Sequence, residues 1–127
     1  TGDVARARDL IARCGDRIAI YSGDDATAME LMLAGGHGNI SVTANVAPEL
    51  RAQLCRLAIA GDREGATAVK ERLAPLNRAL GLEANPIPVK WALQQRGLVG
   101  PGIRLPLTPL DEQFQGEVRA AMEAAAI

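Results

Sequence analysis

Apolar residues recur at Val4, Ala7, Leu10 and Ile11 behind the acidic Asp3, a spacing that predicts a helix opened by Asp3 and ended by Gly15 and Asp16. The period then changes. Arg17-Ile18-Ala19-Ile20-Tyr21 is a short β-branched and aromatic run between turn residues, which predicts a strand buried on both faces. Ser22-Gly23-Asp24-Asp25 follows as a tight turn, and Ala26 to Ala34, carrying Met29, Leu31, Met32 and Leu33, predicts a helix closed by Gly35-Gly36. The sequence repeats this order: Asn39-Ile40-Ser41-Val42-Thr43 reads as a strand, Ala44-Asn45-Val46 as a turn, and Pro48 as a first-turn residue of a helix to about Ala60.

Such α-β-α-β-α alternation predicts an α/β fold with parallel strands joined by right-handed helical crossovers. After residue 61 the strand pattern stops. Asp62 can cap a helix through Ala66, Val69, Leu73 and Leu76, and Pro86 can open another through Val89, Trp91, Ala92 and Leu93 to Gly97. A Pro/Gly-rich connector from Val99 to Pro109 leads to a last helix from about Asp111 into the alanine-rich stretch Met122 to Ala126. Two parallel strands leave unpaired amide and carbonyl groups on both edges, so the pattern predicts a sheet completed from elsewhere. A doubly wound domain of this length calls for four or five strands. A (β/α)8 barrel uses eight such units in about 250 residues, and two strands with flanking helices fit its closing portion.

Composition narrows the function classes. Of 127 residues, 48% are hydrophobic and 23% charged, which places the chain among globular proteins rather than disordered ones or coiled coils. The net charge of -1 offers no field to gather nucleic acid or an anionic membrane surface. The pattern contains no apolar run of bilayer length and no charged-then-apolar leader, and Cys14 and Cys55 stand apart without CxxC spacing. The expectation is a cytoplasmic protein with reduced thiols. Because the chain starts at Thr1 rather than Met, it is expected to be a piece of something longer.

In a parallel βα array, working groups lie at the carboxyl ends of strands. Here those ends are Tyr21 to Asp25 and Ser41 to Asn45. Gly23 allows close backbone approach or a positive φ there, although the plainer expectation is that Gly23 makes the turn and Asp25 caps the following helix. Adjacent side chains rarely face each other, so Asp24 and Asp25 make a poor acid–base pair. His37, on the opposite rim with no cysteine near it, reads as a loop histidine rather than a metal ligand, and Gly35-Gly36-His37-Gly38 lacks the Lys and Ser/Thr of a phosphate loop. Lys70 and Lys90 are the two lysines; a Schiff-base enzyme needs one in a dry pocket at a strand end, and both fall in predicted helices. Lys90, next to Trp91, is expected to pack its stem on that ring.

Five words in register nevertheless have a likeness. Thr1-Gly2-Asp3, Tyr21-Ser22-Gly23-Asp24-Asp25, the run from Gly35 to Pro48, Asn85-Pro86-Ile87-Pro88-Val89-Lys90-Trp91-Ala92 and Arg104-Leu105-Pro106-Leu107-Thr108-Pro109-Leu110 together closely resemble the carboxyl half of the dihydrodipicolinate synthase family, within the Schiff-base aldolase superfamily. The resemblance implies the closing βα units of a TIM barrel over residues 1–61 and a C-terminal helical extension over 62–127. It implies condensation of pyruvate with aspartate semialdehyde in lysine biosynthesis, with no cofactor or metal, in a homotetramer. The family's nucleophile belongs to a Lys-Glu-Ala-Thr-Gly word and would lie three residues before Thr1. The resemblance therefore assigns no catalytic residue here and names the amino-terminal half of the barrel as a partner. It does imply a substrate-binding role for three positions: the Ile40 carbonyl facing pyruvate and its lysine, Gly23 at the preceding strand end, and Asn85 where the extension closes on the barrel mouth. The alternatives are a non-catalytic half-barrel assembly module and a related pyruvate aldolase. The Arg-Leu-Pro-Leu and Ala-Asn-Val-Ala-Pro words look more like the synthase than like sialic acid lyase or keto-deoxy sugar acid aldolase.

Overall fold

A computed structural model describes residues 2–127, so Thr1 of the first word lies outside the described residues. Helix α1 (Val4–Cys14) starts where Asp3 accepts a hydrogen bond from the Arg6 amide at 3.0 Å, as an acidic N-cap should. Strand β1 (Tyr21–Ser22), helix α2 (Ala28–Leu33), strand β2 (Gly38–Asn39) and helix α3 (Pro48–Ile59) follow in the expected order. Helices α4 (Arg63–Ala79), α5 (Ile87–Gln95) and α6 (Glu112–Ala124) complete the chain. Asp62 caps α4 by accepting from the Gly65 amide at 2.9 Å, and Asp111 caps α6 through the Gln113 amide at 3.0 Å.

Glycine ends several of these helices for a backbone reason, α2 and α3 among them. After α2, Gly35 takes φ 106°, and the amides of Gly35 and Gly36 donate to the carbonyls of Met32 and Leu31, each at 3.0 Å. After α3, Gly61 takes φ 79°, and Gly61 and Asp62 donate to Ala58 and Leu57 at 3.1 and 2.9 Å. Both satisfy carbonyls that the helix end leaves open, using a left-handed residue that costs glycine little.

The strands depart from expectation. β1 and β2 pair in parallel, Tyr21 with Gly38 and Ser22 with Asn39, but each is two residues long. Backbone bonds from His37 to Ile20 (2.7 Å) and from Ile40 to Ser22 (2.8 Å) extend the ladder by one residue at each end. Of the rest of the first predicted strand, Arg17 ends a 3-10 turn at Gly15–Arg17 and residues 18–20 form no regular element, while Thr43–Asn45 forms another 3-10 turn. Burial on both faces also fails, since Ile18 is 60% and Tyr21 54% exposed. Neither strand has a second neighbour among the described residues, so the outer edge of each finds no ladder partner there.

The core therefore lies among helices rather than over a sheet. Met29 and Met32 of α2, Leu54 and Ala58 of α3, Leu73 and Leu76 of α4, Trp91 and Ala92 of α5, and Val118 and Met122 of α6 form one continuous apolar cluster. Arg63 forks onto Glu30 at 2.8 and 3.2 Å and ties the start of α4 to α2. Among the described residues no helix is long and apolar enough to cross a membrane.

Leu73 is fully buried, so Leu73→Ala is expected to lower unfolding free energy by about 2–5 kcal/mol. Asp62→Ala, which deletes one cap, is expected to cost about 0.5–2 kcal/mol. Urea midpoints of the two variants against the parent check the order.

Candidate functional site

The turn after β1 is built by side chains on their own backbone. The Ser22 hydroxyl, buried, donates to the Asp24 carbonyl at 3.0 Å and accepts from the Asp24 amide at 3.1 Å. The Asp24 carboxylate accepts from the amide and hydroxyl of Thr27 at 2.9 and 2.6 Å. Asp25, expected to cap the following helix, does not do so: α2 has Thr27 at its N-cap without a side-chain cap, and Asp24 closes the turn that precedes it. The reason is register: Asp24 reaches the residue three positions on, while Asp25 is turned away toward the interior.

Asp25 instead meets Arg51, which is only 3% exposed. One carboxylate oxygen of Asp25 pairs with the guanidinium, and the other accepts from the Thr43 amide at 2.9 Å. Arg51 also donates through Nη2 to the Asp25 carbonyl at 3.0 Å, and through Nε to Asn39 Oδ1 at 2.8 Å and Ser41 Oγ at 3.1 Å. The Asn39 amide nitrogen donates onward to the Ser22 carbonyl at 3.0 Å. Thr43, buried, donates its hydroxyl to Asn77 Oδ1 of α4 at 2.6 Å. Both strand ends, the α3 helix and α4 are thus joined by one polar network, and no buried side-chain polar atom among the described residues lacks a partner.

This network escaped the sequence reading. Its signal was present: Arg51 stands in register with Ala47, Leu54 and Ala58, an arginine in the apolar stripe of α3. A buried arginine requires a carboxylate and full hydrogen bonding. Burial pushes the Asp25 carboxyl up, but the Ser41 hydroxyl, the Thr43 amide and the Arg51 guanidinium together outweigh it and hold it below its ordinary value. Burial raises the nearby Cys55 thiol, which remains free and half-buried.

The three sequence-predicted positions converge on this rim. Ile40 is 72% exposed and lines a cleft of about 330 Å³ with Val42, Asn85, Val89 and Lys90. Gly23 lines an adjoining cleft of about 300 Å³ with Asp25, Thr43, Asn77 and Asn85. Asn85 and Val42 border both clefts. Gly23 does not have a positive φ, and a Cβ there would meet nothing within 4 Å, so the glycine leaves space rather than bending the chain. A larger cavity of about 440 Å³ lies elsewhere, lined by Arg56, Arg72, Arg96 and the last three residues, with none of the strand-end groups in its wall.

The remaining candidates are structural. His37 Nδ1 accepts from the Ile20 amide at 3.0 Å, fixing the approach to β1, and Tyr21 lies against its ring. Gly38 is needed because a Cβ would come within 3.0 Å of the Tyr21 ring. The Lys90 ammonium donates to the Gly102 carbonyl at 2.6 Å, Lys90 and Trp91 both line a narrow cleft with Gly102, and the cation over the indole is Arg119, 5.4 Å from its centroid. Lys70 sits on α4, away from the strand ends. Among the described residues no cluster of three or more His, Cys, Asp or Glu is arranged to hold a metal.

Asp25→Asn is expected to leave the Arg51 charge buried without its counterion and to cost about 3–5 kcal/mol at neutral pH. Because folding lowers the Asp25 carboxyl below 3.8, the stabilisation is complete above that value and is lost as pH falls further. The stability gap between parent and variant should therefore stay constant from pH 7 to about 4 and shrink below it, as urea titrations across pH will read.

Comparison with known proteins completes the picture. The model of the dihydrodipicolinate synthetase family matches residues 1–125. The 4-hydroxy-tetrahydrodipicolinate synthase of Thioalkalivibrio sulfidiphilus is 63% identical over 127 residues, all of this chain and 43% of that protein. That of Marinobacter nauticus is 58% identical, again over the whole chain and 44% of the relative. The crystal structure of the chloride-inhibited dihydrodipicolinate synthase of Acinetobacter baumannii complexed with pyruvate superposes with a TM-score of 0.97 at 52% identity, covering 100% of this chain and 44% of that one. The enzyme of Aquifex aeolicus gives 0.93 at 33% identity, over 97% of this chain and 42% of its own. The chain spans less than half the length of these relatives. With the sequence words, the strand-end turns and the whole-chain superposition in agreement, the chain belongs to the dihydrodipicolinate synthetase family.

Proposed function

We propose that this chain is the carboxyl-terminal part of a 4-hydroxy-tetrahydrodipicolinate synthase, which condenses pyruvate with aspartate semialdehyde through a lysine Schiff base in lysine biosynthesis. The observation that carries the reading is the match along the entire chain to synthases more than twice its length, at up to 63% identity among the relatives named above. The pyruvate complex of the Acinetobacter baumannii enzyme supports the choice of first substrate. In this reading residues 1–61 are the last two strands and flanking helices of a (β/α)8 barrel, and 62–127 form its helical extension. The reading also places the complete protein in the cytoplasm as a homotetramer; the two free thiols accord with a reducing compartment.

In this mechanism the reactive amine comes from outside residues 1–127. Lys90 is held by the Gly102 carbonyl, and Lys70 of α4 lines neither cleft. This portion supplies the floor of the site. The Ile40 carbonyl accepts from the amine or its protonated Schiff base, since a buried nitrogen of that kind needs a fixed acceptor. Gly23 leaves room for the substrate at the first strand end, and Asn85 offers an amide where the two clefts meet. Exposed Ile18, Tyr21 and Ile40 are apolar surface for the remaining barrel staves to cover.

Treatment of residues 1–127 with pyruvate and borohydride should leave the mass unchanged, whereas the complete protein should gain one reduced pyruvyl group. A covalent adduct on Lys70 or Lys90 of the short chain would overturn the assignment. Left alone, the short chain is expected to self-associate through its open strand edges, and sedimentation as a stable monomer would count against the incomplete sheet.

A further inference from the structure

We propose that Arg51 is a positioning residue for the Ile40 carbonyl, an inference that rests on the pyruvate-site reading above. Arg51 Nε donates to Asn39 Oδ1 and to Ser41 Oγ, the side chains immediately before and after Ile40 in the chain. The guanidinium therefore grips the peptide segment of Ile40 from both sides, while Ile40 itself is exposed and lines the cleft. A guanidinium has donors only, so it dictates which end of the Asn39 amide it meets. With Oδ1 facing Arg51, the Nδ2 group must face the other way, where it donates to the Ser22 carbonyl at 3.0 Å and, over a longer 3.4 Å, to the Ile40 carbonyl itself.

The orientation has a chemical consequence. If the Asn39 amide turned over, its oxygen would be set against two carbonyl oxygens, and the Ile40 peptide would have to move to relieve the repulsion. Arg51 prevents that, and Asp25 in turn prevents Arg51 from moving: its carboxylate and its carbonyl both hold Nη2, and the Thr43 amide holds the carboxylate. A lysine would not replace it, because one ammonium cannot present Nε and Nη2 in a fixed plane to Asn39, Ser41 and Asp25 at once.

Two variants of the complete protein test this. Arg51→Met combined with Asp25→Asn removes the charge pair without stranding either ion. Asn39→Asp keeps the Arg51 contact, and strengthens it, while replacing the donor that faces the Ser22 and Ile40 carbonyls with an oxygen. Pyruvate adduct trapping by borohydride in the parent comes first; failure there sinks the pyruvate-site reading and this proposal with it. Given trapping in the parent, both variants should show a KM for pyruvate raised roughly tenfold, the loss of about one hydrogen bond, with the KM for the aldehyde unchanged. Asn39→Asp should do so while still folding cooperatively, and a loss confined to pyruvate with the aldehyde KM unmoved is not what a purely structural role for the network predicts. A folded Asn39→Asp protein with parental KM for pyruvate overturns the proposal, and it decides the matter alone if the double variant does not fold.

Discussion

Most of what is ordered around the strand ends depends on one buried ion pair. Arg51 and Asp25 come from different elements, and neither is stable in the interior without the other. The pair is worth keeping because it spends its remaining hydrogen bonds on backbone and side chains at and beside the strand ends: the Asp25 carbonyl, the Thr43 amide, Asn39 and Ser41. Two-residue strands cannot hold their own ends. A planar cation with fixed donors can, and it does so from a helix whose packing against α4 is apolar and firm.

The helices were legible because their ends are local chemistry. Asp3 and Asp62 cap as their positions predict, the last helix starts beside Asp111 as expected, and Pro48 opens α3. The strands were legible in order but not in length or burial, because strand pairing depends on neighbours that the pattern of one segment does not contain. The exchange of tasks between Asp24 and Asp25 was hidden for a related reason. Two adjacent carboxylates look alike in sequence, and only the distant Arg51 distinguishes the one that turns inward.

The site divides in the same way. Gly23, Ile40 and Asn85 were singled out through a resemblance of words, and they fall around two adjoining clefts that share Asn85 and Val42. Composition and spacing alone would not have gathered them, since Asn85 follows Gly23 by three helices and a strand. Arg51 was readable in principle as a charge at a core position of α3, but its partners lie 10, 12 and 26 residues away and follow from tertiary structure.

The apolar packing of α3 against α4 has a consequence for how such chains can be recombined. Leu54 and Ala58 belong by order to the βα series, yet they share one apolar cluster with Leu73 and Leu76 of the extension. A chimaera spliced at the turn around Gly61 would graft a foreign appendage onto a helix shaped for this one. Moving the junction back to Gly35-Gly36 would carry the helix, its arginine and its appendage together, leaving Asp25 to find the same guanidinium in the recipient.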